Sequence, residues 1–201
     1  MRHRPFLIVI SAPSGAGKTT VLNEVKKLCP DLFYSVSATT RSPRPNEIDG
    51  VDYIFVSREK FEEMIEKEEL LEWARVFGGE YYGTPKKPVL KALESGRDVI
   101  MDLDIQGKET LEEKFGKEMI SIFLLPPSFE ELRRRLSGRN TESEEELKER
   151  LSRAKVELAW ADKYQYWVVS SSVDEAARSI TSIIEAERMK KERVIYPLDS
   201  D

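Results

Sequence analysis

Cysteine and histidine are almost absent from this sequence of 201 residues, which has one of each, Cys29 and His3. The single cysteine excludes an intrachain disulfide and is typical of a protein from a reducing compartment. The single histidine leaves the chain without an obvious general base, because histidine is the side chain that most often takes that role. The sequence therefore points away from disulfide-stabilised folds and from reactions that depend on a histidine base.

Long apolar runs are missing as well, and no stretch approaches the roughly 20 residues that span a bilayer. Residues 6–10 follow the basic residues Arg2 and Arg4 as in a signal peptide, but this apolar run is too short and leads into a glycine-rich loop. We therefore expect a cytoplasmic protein without membrane association. The net charge of −5 argues against binding to bulk nucleic acid, although a local basic cleft can still hold an anion.

What the sequence does contain is an alternation of short apolar runs and helical patterns. Continuous apolar, β-branched runs, typical of strands buried on both faces, occur at residues 6–10, 98–103, 119–125 and 167–170. Helical patterns lie between them, and the last, at 174–193, has Asp174 as its candidate N-cap. The hydrophobic content of 40% is sufficient for a packed core. These features predict one α/β domain with a parallel, doubly wound sheet.

Two segments interrupt this alternation. Residues 34–85 carry several short strand patterns around a helix at 59–67, and we expect Trp73 in the core of a small sheet there. Residues 128–154 are strongly helical and charged. Because ligands of open α/β sheets bind outside the carboxyl ends of the strands, we interpret both segments as insertions over those ends.

The most specific motif is the glycine-rich loop after the first predicted strand, Ala12-Pro-Ser-Gly-Ala-Gly-Lys18-Thr19. It nearly matches the phosphate-loop pattern, in which backbone N–H groups cradle a polyphosphate at the N-terminus of a helix. Lys18 would reach the β- and γ-phosphates, and the Thr19 hydroxyl would hold Mg²⁺. The pattern has glycine where this chain has Ala12, so we expect an ordinary φ at that residue.

Two aspartates stand at the end of the buried run 98–103. A strand-end aspartate is often a turn former, but in a protein with a phosphate loop it is more often linked to Mg²⁺. Asp102 is therefore a second candidate ligand for Mg²⁺, beside Thr19.

Further motifs follow the phosphate loop in a fixed order. They are Ser35-Val-Ser37-Ala-Thr-Thr-Arg41-Ser-Pro43-Arg44, Gly50-Val-Asp-Tyr53, Glu72-Trp73, Tyr82-Gly-Thr84, Asp102-Leu-Asp104-Ile-Gln-Gly107 and Arg135-Leu-Ser-Gly-Arg139. With the phosphate loop, they resemble the guanylate kinase family over about residues 6–167. The resemblance implies a three-layer P-loop sandwich with a parallel core sheet that holds ATP, a mostly β insertion that holds GMP, and a helical lid. By this resemblance the core is 1–33, 86–127 and 155–201, the insertion is 34–85 and the lid is 128–154.

The resemblance also implies a role for individual residues. The ATP-binding residues would be Ala12, Pro13, Ser14, Gly15, Ala16, Gly17, Lys18, Thr19 and Thr20. The GMP phosphate would be bound by Arg41, Arg44, Tyr53 and Tyr82, and the guanine by Ser37, Glu72, Thr84 and Asp104. Arg135, Arg139 and Arg150 would close onto the transferring phosphoryl group, and with Lys18 and Arg41 they are the expected catalytic residues. Ser170-Ser171 departs from the family, which often has Asn-Asp near the adenine.

The chemistry of the residue types agrees with these roles. A phosphate acceptor is already anionic, so the reaction needs positive charge and positioning rather than a general base. Arginine suits phosphate oxygens because its planar fork donates two parallel hydrogen bonds, and Pro43 stiffens the turn that carries Arg41 and Arg44. The simpler alternatives are that the arginines 133–135 form a solvated helix face and that Glu72 is one more member of the acidic run 66–69.

Two other functions stay open at this point. One is a related P-loop kinase that acts on another phosphorylated acceptor, such as a ribose bisphosphate. The other is a non-catalytic guanylate-kinase-like module that binds protein partners. The intact Gly17-Lys18-Thr19 favours catalysis, and Glu72 with Thr84 favours a guanine. The expected reaction is therefore ATP + GMP to ADP + GDP, with Mg²⁺ as the cofactor and no nucleic acid or membrane as partner.

Overall fold

Strands and helices alternate along the chain close to the positions predicted from its apolar pattern. The structure is a computed structural model that describes residues 2–76, 78–137 and 144–196. In chain order, its elements are β1 (Leu7–Ser11), α1 (Lys18–Leu28), β2 (Phe33–Tyr34), β3 (Ala38–Thr39), β4 (Ile54–Phe55), α2 (Arg58–Glu66), β5 (Leu70–Arg75), β6 (Tyr81–Pro85), α3 (Lys86–Glu94), β7 (Val99–Asp102), α4 (Ile105–Phe115), β8 (Met119–Leu125), α5 (Phe129–Ser137), α6 (Glu144–Leu158), β9 (Tyr166–Val169) and α7 (Val173–Arg188). Short 3₁₀ turns lie at Gly116–Glu118 and Ala161–Lys163.

The chain divides into two compact units. The first takes in the described residues of Met1–Arg4, Ile8–Pro30 and Ile120–Asp201, and the second takes in those of Pro5–Leu7 and Asp31–Met119. The phosphate loop and the helices α5 and α6 therefore belong to the first unit. The predicted GMP-binding residues belong to the second.

Apolar faces hold the first unit together. Helix α1 packs against α7, and the faces that they bury carry side chains such as Val21, Val25, Ile180 and Ile184. Strand β8 is buried at all but its last position and pairs in parallel with β9. Helices α5 and α6 share a small apolar cluster of Leu132, Leu136, Leu147, Leu151, Ala154 and Leu158.

The second unit contains a parallel strand pair and a mixed sheet. Strand β2 pairs in parallel with β7, with Phe33 opposite Val99. Four more strands form a sheet in the order β4-β3-β6-β5, in which β6 runs antiparallel to both of its neighbours. Helix α2 covers this sheet through Phe61 and Met64, which cluster with Ala38 and Leu70. Helix α4 packs against β5.

The predicted α/β class with a parallel core sheet is confirmed, and three details differ from the prediction. Helix α7 begins at Val173 because the hydroxyl of Ser172, not the side chain of Asp174, accepts the N–H of the first turn. Trp73 was expected in the core but is 46% exposed, because the alternation along β5 turns Glu72 and Ala74 inward instead. Helix α4 lies outside the predicted elements.

A buried carboxylate beside an exposed indole inverts the usual pattern of burial, and such an inversion is more informative than an exposed apolar side chain alone. In the described part of the chain, no helix combines the length and apolarity needed to cross a bilayer.

Candidate functional site

The glycine-rich loop of the first unit joins β1 to α1 through two left-handed glycines. Gly15 and Gly17 both have φ of 88°, a conformation that residues with a Cβ adopt only at a cost. Gly15 is required for a second reason, because a Cβ there would lie 2.6 Å from Cδ2 of Leu136 on α5. Ala12 is not one of the described residues with a positive φ, as predicted. The loop can therefore follow the phosphate-binding course despite its alanine.

The N-terminus of α1 is suited to an anion. Gly17 is its N-cap, Lys18 is its first residue, and no acidic side chain stands in its first turn. Thr19 and Thr20 are exposed, so their hydroxyls are accessible to a ligand. Because the positive end of the helix dipole has no carboxylate of its own helix beside it, a phosphate would be favoured there.

Helix α6 contacts the same loop at Ser14 through two side chains. Arg150 donates from Nη2 to the Ser14 hydroxyl at 3.3 Å, and the Glu157 carboxylate accepts the Ser14 N–H at 2.9 Å. The two residues are seven positions apart, which places them two turns apart on one face of the helix. The structure thus brings the predicted Arg150 to the loop together with a carboxylate that was not predicted.

Arg135 lies against the loop from α5. Its Nη1 donates to the Ala16 carbonyl and its Nη2 to the Ser170 carbonyl, both at 3.1 Å. Its Nε donates to Glu131 at 2.8 Å. Hydrogen bonds from Arg134 and from Arg135 lower the pKa of Glu131 to about 2. Arg139, the third predicted lid arginine, lies outside the described residues.

In the second unit, Arg41 is held by a carboxylate and two aromatic rings. Its Nη1 and Nη2 donate to the two oxygens of Glu47, each at 2.9 Å, and its Nε donates to the Tyr82 hydroxyl at 2.9 Å. Its guanidinium carbon lies 5.3 Å from the ring centroid of Tyr53. Glu47 also accepts the backbone N–H of Arg44 at 2.7 Å. Three of the four predicted phosphate-binding side chains, those of Arg41, Tyr53 and Tyr82, therefore meet at one place.

Charges around this cluster shift the ionisation of its members. The hydrogen bond from Arg41 is the main reason why the pKa of Glu47 lies below its ordinary value. Burial raises the pKa of Tyr53 to about 12, and the negative charge of Asp102 adds to the rise. Tyr53 therefore stays a neutral hydroxyl donor at ordinary pH. Arg44 is exposed on the turn, and Asp102 is the last residue of β7.

The predicted base-binding residues form a buried polar pair. Glu72 is 5% exposed and Thr84 is fully buried, and the Thr84 hydroxyl donates to Oε1 of Glu72 at 2.5 Å. The pKa of Glu72 is raised to about 7, chiefly by burial and to a smaller extent by the nearby charge of Asp104, whereas the Thr84 hydrogen bond opposes the rise. A buried carboxyl group whose pKa is raised this far is a frequent mark of a functional site.

Asp104 and Ser37 complete the predicted set. Asp104 is the N-cap of α4, and its Oδ1 accepts the Gly107 N–H at 2.8 Å. Ser37 directly precedes β3, where Ala38 stands opposite Gly83 of β6. Ser37 and Thr84 are the next residues beyond that pair, so they are neighbours on adjoining strands.

Two residues that contact the predicted set were missed from the sequence. Glu47 follows Arg44 by three positions in a Pro-containing turn, and this spacing was the available signal for a local contact. The sequence around Glu157 does not predict its contact with the loop, because its partner Ser14 is 143 residues away. The seven-residue distance from Arg150 is the one local feature that relates it to the predicted set.

Among the residues that the structure describes, no three His, Cys, Asp or Glu side chains are grouped to hold a metal ion.

Comparison with known proteins gives one consistent family. The guanylate kinase family model matches residues 4–187. The guanylate kinase of Caldanaerobacter subterraneus is 49% identical over 193 residues, covering 96% of this chain and 93% of that protein. The guanylate kinase of Halalkalibacterium halodurans is 48% identical over 194 residues, covering 96% and 94%. The crystal structure of guanylate kinase from Anaplasma phagocytophilum superposes with a TM-score of 0.83 at 34% identity, covering 98% of this chain and 94% of that one.

Proposed function

The chain belongs to the guanylate kinase family, and we propose that its first unit binds the donor ATP and its second unit binds the acceptor GMP. The chain is a phosphotransferase that acts on GMP, and neither alternative acceptors nor a non-catalytic role finds support among these relatives. The observation that carries the guanine assignment is the buried Glu72–Thr84 pair, because a phosphate loop alone indicates only a nucleotide.

The transfer itself needs no general base. An oxygen of the GMP phosphate forms the new bond to the γ-phosphorus, the bond from that phosphorus to the β–γ bridging oxygen breaks, and ADP leaves with the electron pair. Both reacting groups are anionic, so catalysis consists of positioning and of neutralising charge. This chemistry explains why a chain with one histidine can suffice.

On the donor side, we propose that the loop residues 12–20 bind the ATP phosphates. Lys18 would neutralise the β- and γ-phosphates, and the backbone N–H groups of the loop would cradle them. Arg135 and Arg150 contact the loop in this structure, and this proximity supports the proposal that their charges face the phosphates of bound ATP. Arg139 is proposed for the same role. The division into core, insertion and lid stays a prediction.

On the acceptor side, we propose that Arg41, Arg44, Tyr53 and Tyr82 bind the GMP phosphate. Ser37, Glu72, Thr84 and Asp104 would surround the guanine. In this structure the Thr84 hydroxyl donates to Glu72, so Thr84 is better suited to orient the carboxylate than to donate to guanine O6. Ser37 is then the proposed donor to O6.

For the cofactor, we propose Mg²⁺ that arrives with ATP. The exposed Thr19 hydroxyl would supply one oxygen ligand, and Asp102 is the second proposed residue. When bound, Mg²⁺ would neutralise charge on the transferring phosphates. The cytoplasmic location stays a prediction.

Glu47 is expected to hold Arg41 in the orientation that binds the GMP phosphate. Its two oxygens, Tyr82 and the Ser42 carbonyl engage four of the five N–H groups of Arg41, which leaves one Nη2 N–H to direct at a ligand. Glu47→Gln removes the charged two-point contact, so we expect KM for GMP to rise by about tenfold while kcat and KM for ATP change little.

Glu62→Gln is the matched control for this variant, because Glu62 also pairs with an arginine, Arg58, but about half of each side chain is exposed. Exposed pairs contribute little, so steady-state kinetics of this control should match those of the unmodified protein. A fall in KM for GMP in Glu47→Gln would mean that Glu47 competes with the phosphate for Arg41, and would contradict the positioning role.

The test of the function as a whole is an acceptor panel. GMP, AMP, IMP, CMP and ribose 1,5-bisphosphate are offered with ATP and Mg²⁺, and ADP release is measured for each. We expect GMP to give the highest kcat/KM, IMP an intermediate value, and AMP one at least 100-fold lower, by roughly the effect of leaving buried polar groups unpaired. Equal kcat/KM for GMP and AMP would refute the guanine assignment and leave the kinase assignment standing.

A further inference from the structure

A glycine stands in the first turn of α4 without a conformational reason. Gly107 is buried, and its N–H donates to the N-cap Asp104. Its φ is not among the positive values found at seven other glycines of the described chain, so alanine could adopt the same backbone conformation. Glycine also destabilises a helix relative to alanine. The backbone therefore gives no reason for a glycine here.

The reason lies in the space beside the helix. A Cβ at Gly107 would stand 2.8 Å from Oε2 of Glu72 and 3.2 Å from its Cδ. Its distance of 3.4 Å from the Asp104 carboxylate would be an ordinary contact. The Glu72 carboxylate thus fills the volume in which any larger residue would place its first carbon.

Glu72 is fixed on its other side. Its Oε1 accepts the hydroxyl of the buried Thr84, and the residue is only 5% exposed. A methyl group at position 107 would therefore have to push the carboxylate away from the helix and strain the hydrogen bond to Thr84. The carboxylate would also lose its place beside the positive N-terminal end of α4, which favours a negative charge.

We infer that Gly107 is a specificity-determining positioning residue, whose missing Cβ lets the Glu72 carboxylate lie against the first turn of α4 in the orientation that reads guanine. The inference rests on the proposed function of Glu72. It adds a residue that touches no part of the substrate in this role and acts only through the carboxylate it accommodates.

Gly83 shows what a glycine with a purely structural reason looks like in the same unit. A Cβ there would lie 2.9 Å from the backbone carbonyl of Glu72 and 3.0 Å from both Phe61 and Trp73. Because a backbone atom and a buried ring cannot yield cheaply, Gly83→Ala should destabilise the fold. At Gly107 the obstructing atoms belong to the end of one side chain, so Gly107→Ala should alter recognition and leave the fold intact.

The first experiment compares GMP with IMP in Gly107→Ala. Guanine offers the carboxylate two neighbouring donors, N1–H and the 2-amino group, whereas hypoxanthine offers only N1–H. Displacing the carboxylate should lower kcat/KM by about 30-fold for GMP and by only a few-fold for IMP, so the preference for GMP over IMP should narrow by about tenfold. Thermal unfolding should occur at or above the temperature of the unmodified protein. Gln106→Ala, at the adjacent exposed position, should change neither the preference for GMP over IMP nor the unfolding temperature.

The second experiment places Gly107→Ala in a Glu72→Asp background. Aspartate is shorter by one methylene group, so its carboxylate should already be withdrawn from the methyl group at position 107. Adding Gly107→Ala to Glu72→Asp should then change kcat/KM for GMP by less than about twofold. Such loss of effect is the mark of two residues that act through one contact.

An unchanged GMP-to-IMP preference in Gly107→Ala would overturn the inference, as would an equal effect of Gly107→Ala in both backgrounds. Failure of Gly107→Ala to fold would overturn it too, because that result would show that packing alone requires the glycine. If the unmodified protein used GMP, IMP and AMP equally well, the proposed function of Glu72 would fail instead, and this outcome is read from the unmodified protein alone.

Discussion

Lys18→Ala is expected to lower kcat by about 10²–10³-fold, the usual cost of removing one positioned charge from a transition state. Negative charge moves toward the leaving ADP as the γ-phosphoryl group departs, and the ammonium group of Lys18 would stand beside that charge at the first residue of α1. Lys18 contributes a charge at the end of the loop and little packing to the core. The circular dichroism spectrum and the melting temperature of Lys18→Ala should therefore stay close to those of the unmodified protein.

Lys27→Ala provides the matched control, since Lys27 lies on the same helix, has a side chain that is 72% exposed, and pairs with Glu24 on that surface. Its removal should leave kcat and KM within about twofold of the starting values. Steady-state kinetics with GMP and ATP measure both variants. Near-normal turnover in Lys18→Ala would refute the phosphate-loop assignment. That result would neither support nor refute the guanine assignment.

Local sequence patterns were sufficient for the elements whose conformation is decided by near neighbours. The strand predicted at 119–125 has those bounds in the structure, because a continuous apolar run must be buried on both faces. The phosphate loop was equally readable, since glycines are needed where φ is positive and both Gly15 and Gly17 are in that region. The alanine at position 12 was predicted to have an ordinary φ for the same reason.

Tertiary contacts decided what the sequence left unpredicted. Nothing in the local pattern distinguishes Glu157 from the other acidic residues of α6, although its carboxylate accepts a hydrogen bond from the phosphate loop. Glu47 was overlooked because a carboxylate in an exposed turn is usually solvated, and only the folded turn shows both of its oxygens on Arg41.

Strand β5 illustrates how a functional site departs from the ordinary pattern. Apolarity predicts Trp73 inside and Glu72 outside, whereas the structure has Trp73 half-exposed and Glu72 buried. Adjacent residues of a strand point to opposite faces, and in this part of β5 the face that carries Glu72 and Ala74 is buried whereas the face that carries Trp73 and Arg75 is exposed. The reason for Gly107 becomes visible only when this strand and α4 are seen together.

Glu72→Gln is expected to lower kcat/KM for GMP by about 100-fold or more. The carboxylate can accept both N1–H and the 2-amino group of guanine, but a glutamine side chain has one acceptor and would face one of these donors with its own NH₂ group. Leaving a buried donor opposed in this way costs about 1–3 kcal/mol, and losing the charge adds to it. Activity with AMP, which lacks both donors, should be affected far less.

The same substitution should stabilise the protein, with a defined pH dependence. The pKa of Glu72 is raised to about 7 in the folded protein from an ordinary value of 4.5, chiefly by burial. At pH below 4.5 the Glu72 carboxyl group is protonated in both the folded and the unfolded chain, so its raised pKa does not lower the free energy of unfolding. As the pH rises through 7 the unfolded chain has already released its proton, and the folded state has lost roughly 2–3 kcal/mol relative to low pH.

Glutamine does not ionise, so Glu72→Gln should escape this loss. Urea unfolding should show the variant more stable than the unmodified protein by up to about 2–3 kcal/mol at pH 8, and the difference should shrink toward pH 5. A variant that is less stable at pH 8 would show that the carboxylate stabilises the fold, and would contradict the view that burial is maintained for recognition at the expense of stability.

GMP binding should follow the same ionisation in the opposite sense. Guanine donors favour the charged carboxylate, so KM for GMP should rise as the pH falls below about 7, approaching tenfold for each pH unit. The GMP phosphate also takes up a proton near pH 6, as phosphate monoesters do, and that change affects every variant alike. Glu72→Gln is therefore the control: its KM for GMP should follow only the phosphate, and the difference between the two pH profiles isolates Glu72. Parallel profiles from pH 5.5 to 8 would show that Glu72 does not meet the base.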